Sequence, residues 1–347
     1  MPWMEYLKVY SRAEIQALTR HRAGEKKIGE AIAVVEGNWE HFAQNSNAIY
    51  FILGVPEDIG IRANHGRAGA SSAVRPAFDA FLNQQDNPFV YAGQICLLGE
   101  LRVEDLMQEA ETLDAHNEWD VKRLRELTAE VDERLSFVIQ KLVSLQKFPV
   151  IIGGGHNNAY GNLKGCALAL GKPVNAINCD PHLDFRPVEG RHSGNGFSYA
   201  FGDGYLGSYA VLGMHEQYNS LDTLLRFRDE PGRLFFHSFE SIFIREEITF
   251  SKALSQCIGF VKAEACGIEI DLDSVTNVPS SARTSSGITA LQARQYVHLC
   301  ASQLKPLYLH VAEGAPVLSH IRADNKTGKL IAYIVTDFIK ACVNRGH

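Results

Sequence analysis

One ten-residue stretch, residues 175–184, constrains this chain more than any other. It starts within a short apolar run, residues 174–179, that is typical of a buried β-strand. Asp180, His182 and Asp184 follow at alternate positions, and alternate side chains of an extended segment point to the same side. Two carboxylates and one imidazole are therefore expected to converge at the carboxyl end of this strand. Such oxygen and nitrogen ligands together suit Mn, Fe, Co, Ni or Zn.

A second stretch of the same construction lies just before the first. The apolar residues 148–152 lead into three glycines and His156, and a helical pattern then covers residues 159–170. Strand, helix and the next strand make a βαβ unit, whose right-handed parallel connection brings both strand ends to one sheet edge. A lone histidine after a strand is more often a loop or core residue, but the shared edge favours a metal-binding role for His156.

Residues 267–273 form a third stretch, in which Asp271 and Asp273 end an apolar run. Acidic residues are poor strand formers and are costly to bury without a counter-ion. A cation at the strand end explains this pair better than packing does. Each stretch alone is also compatible with a solvated turn after a strand, but three together favour a shared metal site.

The candidate metal ligands of the three stretches together outnumber the ligands that one divalent ion needs. The predicted metal ligands are His156, Asp180, His182, Asp184, Asp271 and Asp273. They fit a pair of ions roughly 3.5–4 Å apart that share bridging carboxylates. Such a pair lowers the pKa of bound water towards neutrality, which suits hydrolysis.

The other apolar runs and helical periodicities predict an α/β protein. Further strands are predicted at residues 48–55, 95–98, 209–212, 234–236 and 306–312. Further helices are predicted at residues 12–36, 118–146, 292–304 and 328–339.

Two polar loops are candidate substrate-binding segments, because α/β proteins keep binding groups in the loops that follow strands. Arg67 lies in the first loop, which includes residues 64–70, and is either a structural brace of that loop or a substrate contact. The second loop, residues 186–204, suits an anionic substrate. Its candidate substrate-binding residues are Arg186, Ser193, Gly194 and Asn195. His192 in the same loop fits a bracing role better than a role in proton transfer.

Composition narrows the functional classes. With 347 residues and 46% hydrophobic content the chain can bury a full core, and a net charge of -6 argues against nucleic acid. The sequence shows neither an apolar run of roughly 18 residues nor a signal pattern, which argues against a membrane. Seven scattered cysteines favour a reduced, cytoplasmic protein and disfavour a thiolate zinc site. We expect a single catalytic domain over residues 46–347 and an N-terminal helical extension over residues 1–45.

The motifs resemble those of the ureohydrolase superfamily, which includes arginase, agmatinase and formimidoylglutamase. Matching stretches run from residue 53 to about residue 339, and Gly-Gly-x-His, Asp-x-His-x-Asp and Asp-x-Asp match the family's metal ligands in order. The pattern is most similar to formimidoylglutamases, because Gly155 replaces the aspartate of Gly-Gly-Asp-His and Phe197 stands where arginase has a shuttle histidine. Residues 64–70 resemble their Asn-x-Gly-Arg-x-Gly-Ala.

The resemblance implies a three-layer α/β/α fold with a mostly parallel, eight-stranded sheet and two Mn2+ ions, or other divalent transition metals, at its carboxyl edge. One ion would be bound by His156, Asp180, Asp184 and Asp271, and the other by His182, Asp180, Asp271 and Asp273. Catalytic roles are implied for Asp184, in proton transfer, and for Glu313, which would pair with the amidinium of the substrate. A homo-oligomer, trimer or hexamer, is also implied.

We therefore expect a hydrolase that cleaves a C–N bond of a small formimidoyl or amidino compound. The leading substrate is N-formimidoyl-L-glutamate, which would give L-glutamate and formamide in histidine degradation. One alternative is another guanidino substrate, such as arginine, agmatine or guanidinobutyrate. The other is a metal-binding structural or regulatory protein without catalysis, against which the intact ligand set argues.

Overall fold

The computed structural model describes residues 6–319 and 325–343, so residues 1–5 of the expected extension lie outside the described residues. Within that part of the chain, the strands are β1 (Leu7–Val9), β2 (Tyr50–Gly54), β3 (Ile95–Leu101), β4 (Phe148–Ile152), β5 (Val174–Cys179), β6 (Leu206–Met214), β7 (Leu234–Ser238), β8 (Ala265–Asp271) and β9 (Lys305–Ala312). The α-helices are α1 (Arg12–Leu18), α2 (Ile28–Ala31), α3 (Trp39–Asn45), α4 (Ile59–Ala63), α5 (Val74–Leu82), α6 (Glu104–Ala110), α7 (Glu118–Ser144), α8 (Asn158–Leu170), α9 (Gly196–Gly202), α10 (Leu221–Asp229), α11 (Phe250–Val261), α12 (Ala290–Gln303) and α13 (Lys326–Val343).

The strands form one sheet in the order β1-β3-β2-β4-β9-β8-β5-β6-β7. Every neighbouring pair from β3 to β7 in that order is parallel, which confirms the predicted mostly parallel sheet. β1 adds an antiparallel edge, pairing Leu7 with Leu101, and brings the total to nine strands in the described chain. Three residues are too few to show a strand periodicity, so this edge could not be predicted from the sequence.

Helices cover both faces of the sheet, in the three layers that the resemblance implies. In β2 the side chain of Ile52 joins a hydrophobic core with residues of α5, α11, α12 and α13. Phe51 and Leu53 join a second core, on the other face, with residues of α7 and α8. Burial on both faces explains why the parallel strands read as continuous apolar runs. None of the helices in the described residues is both long and apolar enough to cross a membrane.

The N-terminal segment differs from the helix predicted over residues 12–36. α1 begins after the capping residue Ser11 and ends at Leu18, and α2 resumes only at Ile28. Gly24, between them, has a φ of 81°, which glycine adopts without strain and which interrupts a helix. Ile15 is fully buried in the core, and β1 joins the sheet. The segment thus packs on the sheet, and a division of the chain at residue 46 stays a prediction.

The order of the strands explains how distant motifs can meet. β4, β9, β8 and β5 are consecutive neighbours, so the segments after their carboxyl ends share one edge of the sheet. In that order these segments carry His156, Glu313, Asp273 and Asp180, while Asp271 is the last residue of β8.

Candidate metal centre and substrate cavity

The glycine turn after β4 brings the backbone close to a buried carboxylate. Gly154 has a φ of 76°, and a Cβ there would lie 2.9 Å from Oε1 of Glu57 and 2.1 Å from Nδ2 of Asn158. Glu57 accepts hydrogen bonds from the Gly155 N–H and from Asn158 Nδ2, both at 2.9 Å. Burial raises the pKa of Glu57 to about 7. The turn therefore requires glycine and fixes the position of the next residue, His156.

His156 faces three carboxylates with one ring nitrogen. Its Nδ1 lies 2.9 Å from Asp180 Oδ2, 3.1 Å from Asp184 Oδ2 and 3.2 Å from Asp271 Oδ2. Phe197 is fully buried and packs edge-on against the imidazole, with ring centroids 5.3 Å apart. His156 and these three carboxylates form the first predicted ligand set, and their ligand atoms lie within 4.8 Å of one another.

The segment after β5 is a turn and not the extended stretch that the alternation of its side chains suggested. Asp180 Oδ1 accepts from the backbone N–H of His182 at 2.7 Å, and Asp184 has a φ of 45°. The carboxylates of Asp180 and Asp184 still converge, but through this turn. The imidazole of His182 packs against Tyr218, with ring centroids 5.7 Å apart.

The second predicted ligand set is less closely assembled than the first. His182 Nδ1 lies 3.4 Å from Asp180 Oδ1, and Asp273 lies in the 3-10 turn Leu272–Ser274. Asp273 accepts from the Ala282 N–H at 3.0 Å and from Ser281 Oγ at 3.3 Å. In the described part of the chain, neither His182 nor Asp273 joins a group of three ligand atoms within 4.8 Å.

The buried carboxylates repel one another. Burial raises the pKa of Asp184, Asp271, Asp273 and Glu313. The negative charge of Asp180 raises the pKa of Asp184 and Asp271 further, and the charges of Asp271 and Asp273 do the same for Glu313. Hard oxygen ligands with uncompensated negative charge, joined by imidazole, fit divalent cations of the Mn2+ type.

Glu313 combines burial with one free oxygen. Its Oε1 accepts from the backbone N–H of His156 at 2.8 Å. Its Oε2 is buried and lacks a hydrogen-bond partner within the described residues. Glu313 also lines a cavity of about 570 Å³ together with His182, Asp184, Asp271 and Asp273. An unpaired carboxylate oxygen in such a place suits a cationic group of a bound molecule.

Some of the predicted substrate-binding residues line this cavity and others do not. Arg186, Ser193 and Gly194 line it, whereas Arg67 and Asn195 are not among the lining residues. Arg186 is half-exposed, and its Nη1 donates to Asn64 at 2.6 Å. Arg67 is exposed on the neighbouring loop.

Asn195 does not fit its predicted role as a substrate-binding residue, because both polar atoms of its side chain form hydrogen bonds within the loop. Its Oδ1 accepts from Arg191 and from the His192 N–H, and its Nδ2 donates to the carbonyls of Pro187 and Gly190. Arg191 is buried and paired with Asp132 of α7 at 2.8 Å. Asn195 therefore shapes the loop and has no polar atom free for a substrate.

His192 serves as a brace. Its Nδ1 accepts from the Gly194 N–H at 3.1 Å, which leaves Nε2 to donate to Glu189 at 3.2 Å. Burial, followed by the positive charges of Arg186, Arg125 and Arg191, lowers the pKa of His192 to about 3. The imidazole is thus neutral near neutral pH.

Other residues of the cavity lining, among them Asn64, Tyr218 and Asn219, are not candidate site residues of the sequence analysis. Asn64 connects Arg186 with Ser193, to which it donates at 3.2 Å. Asn219 Oδ1 accepts from the Leu183 N–H at 2.9 Å and so holds the turn after β5. Tyr218 and Asn219 follow the end of β6, so the rule that loops after strand ends carry binding groups could have found them.

Comparisons with known proteins agree with this fold. The family described as "Arginase family" matches residues 48–340. The chain is 26% identical over 298 residues to formimidoylglutamase of Streptococcus pyogenes serotype M12 (strain MGAS2096), with 82% of each sequence covered. The crystal structure of formimidoylglutamase from Bacillus subtilis is similar with a TM-score of 0.74 at 17% identity, over 94% of both chains. That of Trypanosoma cruzi formiminoglutamase with Mn2+ has a TM-score of 0.70 at 19% identity, over 91% of this chain and 98% of the other.

The fold and the family match define the class of the protein as a hydrolase of the arginase type. The chain belongs to the arginase family, since the family match covers most of its length.

Proposed function

We propose that this protein hydrolyses N-formimidoyl-L-glutamate to L-glutamate and formamide with the help of two divalent ions, most readily Mn2+. The observation that carries the proposal is the convergence of His156, Asp180, Asp184 and Asp271 beside a cavity that also contains the free oxygen of Glu313. The names of the Streptococcus pyogenes and Bacillus subtilis relatives support this substrate, and the Trypanosoma cruzi structure supports Mn2+.

The proposed metal ligands are the two sets given by the family resemblance, with Asp180 and Asp271 shared between the ions. When bound, the ions would lower the pKa of a water molecule and so supply a nucleophile near neutral pH. The residues present fit this role, because buried carboxylates that raise each other's pKa need a cation to offset their charge.

The protein's own side chains would orient the substrate and move the proton. Glu313 Oε2 would accept a hydrogen bond from the amidinium group. The water oxygen would then add to the amidine carbon while Asp184 takes up the proton that the water loses. The bond from that carbon to the glutamate nitrogen would break as Asp184 passes the same proton to the leaving nitrogen. The products are formamide and glutamate, which balances the atoms of one water molecule.

Arg186 would select an acidic substrate. Its guanidinium reaches the cavity, where Asn64 holds one end of it. A guanidinium forms paired hydrogen bonds with a carboxylate, and formimidoylglutamate carries two carboxylates whereas agmatine carries none. Ser193 and Gly194 line the cavity beside Arg186 and would contact the substrate there.

A substrate panel on Mn2+-loaded protein tests the proposal. We expect kcat/KM to be highest for formimidoylglutamate, lower for arginine and other guanidino acids, and far lower for agmatine. Turnover of agmatine at an equal or higher kcat/KM would refute the substrate assignment, and metal binding without turnover of any compound would favour a non-catalytic protein. The family resemblance also favours a cytoplasmic homo-oligomer, either a trimer or a hexamer. Light scattering measures the mass of that oligomer.

A further inference from the structure

A buried polar cluster lies on the side of His156 that faces away from the cavity carboxylates. It consists of Glu269, His310 and Tyr308, all with 0% exposure. Tyr308 Oη donates to Glu269 Oε1 at 2.6 Å, and His310 Nδ1 lies 2.6 Å from Glu269 Oε2. A fully buried carboxylate is costly unless its oxygens are satisfied, so these contacts hold Glu269 in one orientation.

Glu269 also approaches the second ring nitrogen of His156. Glu269 Oε2 lies 3.4 Å from His156 Nε2. That nitrogen is buried and forms no hydrogen bond of good geometry with any described residue. The opposite nitrogen, Nδ1, faces Asp180, Asp184 and Asp271. The two nitrogens of His156 thus have separate environments, one facing the predicted ligands and one facing Glu269.

A histidine that binds a metal ion through Nδ1 carries its proton on Nε2, where it needs an acceptor. We propose that Glu269 is the positioning residue of this centre, accepting the Nε2 proton of His156 while Tyr308 and His310 fix its carboxylate. The inference rests on the metal centre of the proposed function. His156 belongs to one of the two ligand sets only, so Glu269 should control the affinity of one ion and leave the other nearly unchanged.

The competing interpretation is a further ion in the cluster itself. Ligand atoms of His156, Glu269 and His310 also lie within 4.8 Å of one another. An ion there would compete with His310 and Tyr308 for the oxygens of Glu269, which already accept two hydrogen bonds of 2.6 Å. Positioning therefore explains the cluster better, and the ion count per chain separates the two interpretations.

The chain offers a matched pair of tyrosines for the test. Tyr308→Phe removes the hydroxyl that donates to the carboxylate of Glu269. Tyr296→Phe removes a hydroxyl from an equally buried ring that donates to the backbone carbonyl of the same residue, at 2.9 Å. Both changes delete one buried hydroxyl, but only the first acts on the carboxylate. Glu269→Gln completes the series, because it keeps the side-chain size and removes the charge.

Mn2+ titration of the full-length protein, monitored by calorimetry and by the electron paramagnetic resonance signal of a spin-coupled Mn2+ pair, is the measurement. We expect wild type and Tyr296→Phe to bind two ions with the same affinities. Glu269→Gln and Tyr308→Phe should bind one ion normally and the other about tenfold to a hundredfold more weakly, with loss of the coupled signal at limiting Mn2+. Circular dichroism checks that each variant is folded.

Each other outcome overturns a distinct statement. Two ions bound at wild-type affinity by both Glu269→Gln and Tyr308→Phe would overturn the positioning role alone. Equal weakening by Tyr296→Phe would assign the effect to packing and also overturn it. A third ion per wild-type chain, lost in Glu269→Gln, would favour the competing site. A wild type that binds no pair of ions would overturn the proposed metal centre, and this inference with it.

Discussion

Asp184 and Glu313, the two residues predicted to act in catalysis, share a left-handed backbone conformation, with φ angles of 45° and 64°. Residues other than glycine adopt it at a cost of roughly 1–3 kcal/mol each, and such strain is concentrated at functional sites. Glycine would remove the strain at both positions. That each position carries an acid agrees with the catalytic roles predicted for these two side chains.

Glu313→Gln should separate stability from activity. The amide keeps the acceptor for the His156 N–H but loses the charge that would pair with an amidinium. Charge-assisted contacts are worth roughly 1.5–3 kcal/mol, so we expect kcat/KM to fall about tenfold to a hundredfold. The metal-free variant should melt at or above the wild-type temperature, because a buried carboxylate with one unpaired oxygen has been neutralised. Wild-type turnover would contradict the role of Glu313.

Asp271→Ala should remove more bound metal than any change at a ligand of one ion only. Asp271 is shared between both proposed sets, and its Oδ2 lies 3.2 Å from His156 Nδ1. We expect elemental analysis after dialysis to find less than one ion per chain, compared with two for wild type. The exposed Asp229→Ala is the control and should retain both ions. Full occupancy in Asp271→Ala would rule out a bridging role.

Much of the candidate metal site could be predicted from the sequence, because the convergence of its side chains follows from short-range rules. A strand end places its last residues at the sheet edge, and the βαβ rule joins the ends of β4 and β5. The conformation within the turn after β5 could not be predicted. Asp184 there has a positive φ, which the alternation of polar residues does not show.

The roles of residues in the loop 186–204 could not be predicted as well, because they depend on partners far away in the sequence. Asn195 has the residue type and the loop position of a substrate-binding residue. Its structural role follows from its partner Arg191, which pairs with Asp132 of α7, 59 residues before Arg191. Tyr218 contacts His182 only after β6 has returned the chain to the same edge. No local pattern specifies such side-chain pairings.

Asn195→Ala should act on stability and leave substrate affinity nearly unchanged. The change leaves buried donors of Arg191 and His192 and two carbonyls without their partner. Unsatisfied buried groups cost about 1–3 kcal/mol each, and only the donors of Arg191 and His192 belong to buried residues, because Pro187 is exposed and Gly190 is partly exposed. We therefore expect the free energy of unfolding to fall by roughly 2–6 kcal/mol. Denaturant titration measures it. Ser193→Ala, at a residue that lines the cavity, is the comparison and should raise KM with a smaller loss of stability.

His192 should make the protein less stable in acid. Its pKa is about 3 in the folded protein and 6.5 in the unfolded chain, because burial and then the charges of Arg186, Arg125, Arg191 and His65 disfavour its protonated form. Among the described residues, Glu189 is the acidic residue in contact with it. The unfolded chain therefore binds the proton first as the pH falls. The stabilisation that the neutral imidazole contributes is complete above pH 6.5. It is lost as the pH falls from 6.5 towards about 3, by up to about 1.4 kcal/mol per pH unit.

Denaturant titrations between pH 7.5 and 5 check this prediction. We expect a shallower loss of stability in His192→Asn, which has no proton to gain in that range, than in wild type. The exposed His41→Asn is the control and should follow the wild-type curve. Parallel curves for wild type and His192→Asn would show that the imidazole does not contribute to the acid instability.

Arg186 should decide the preference for acidic substrates. Its guanidinium lies at the cavity, contacts Asn64 at 2.6 Å and lies 3.6 Å from Glu189, and its half-exposed end can receive a carboxylate. Losing one charge-assisted contact costs roughly 1.5–3 kcal/mol, so Arg186→Ala should lower kcat/KM for formimidoylglutamate about tenfold to a hundredfold. Agmatine has no carboxylate, so its kcat/KM should be nearly unchanged.

The informative quantity is the ratio of the two kcat/KM values, because a general loss of activity cancels in it. Arg67→Ala is the matched control: it removes an arginine from the neighbouring loop that does not line the cavity, and the ratio should stay at the wild-type value. Arg186→Lys keeps the charge but loses the paired geometry, so an intermediate ratio is expected. An equal loss for both substrates in Arg186→Ala would assign Arg186 to the shape of the loop and leave the acidic substrate without its proposed partner.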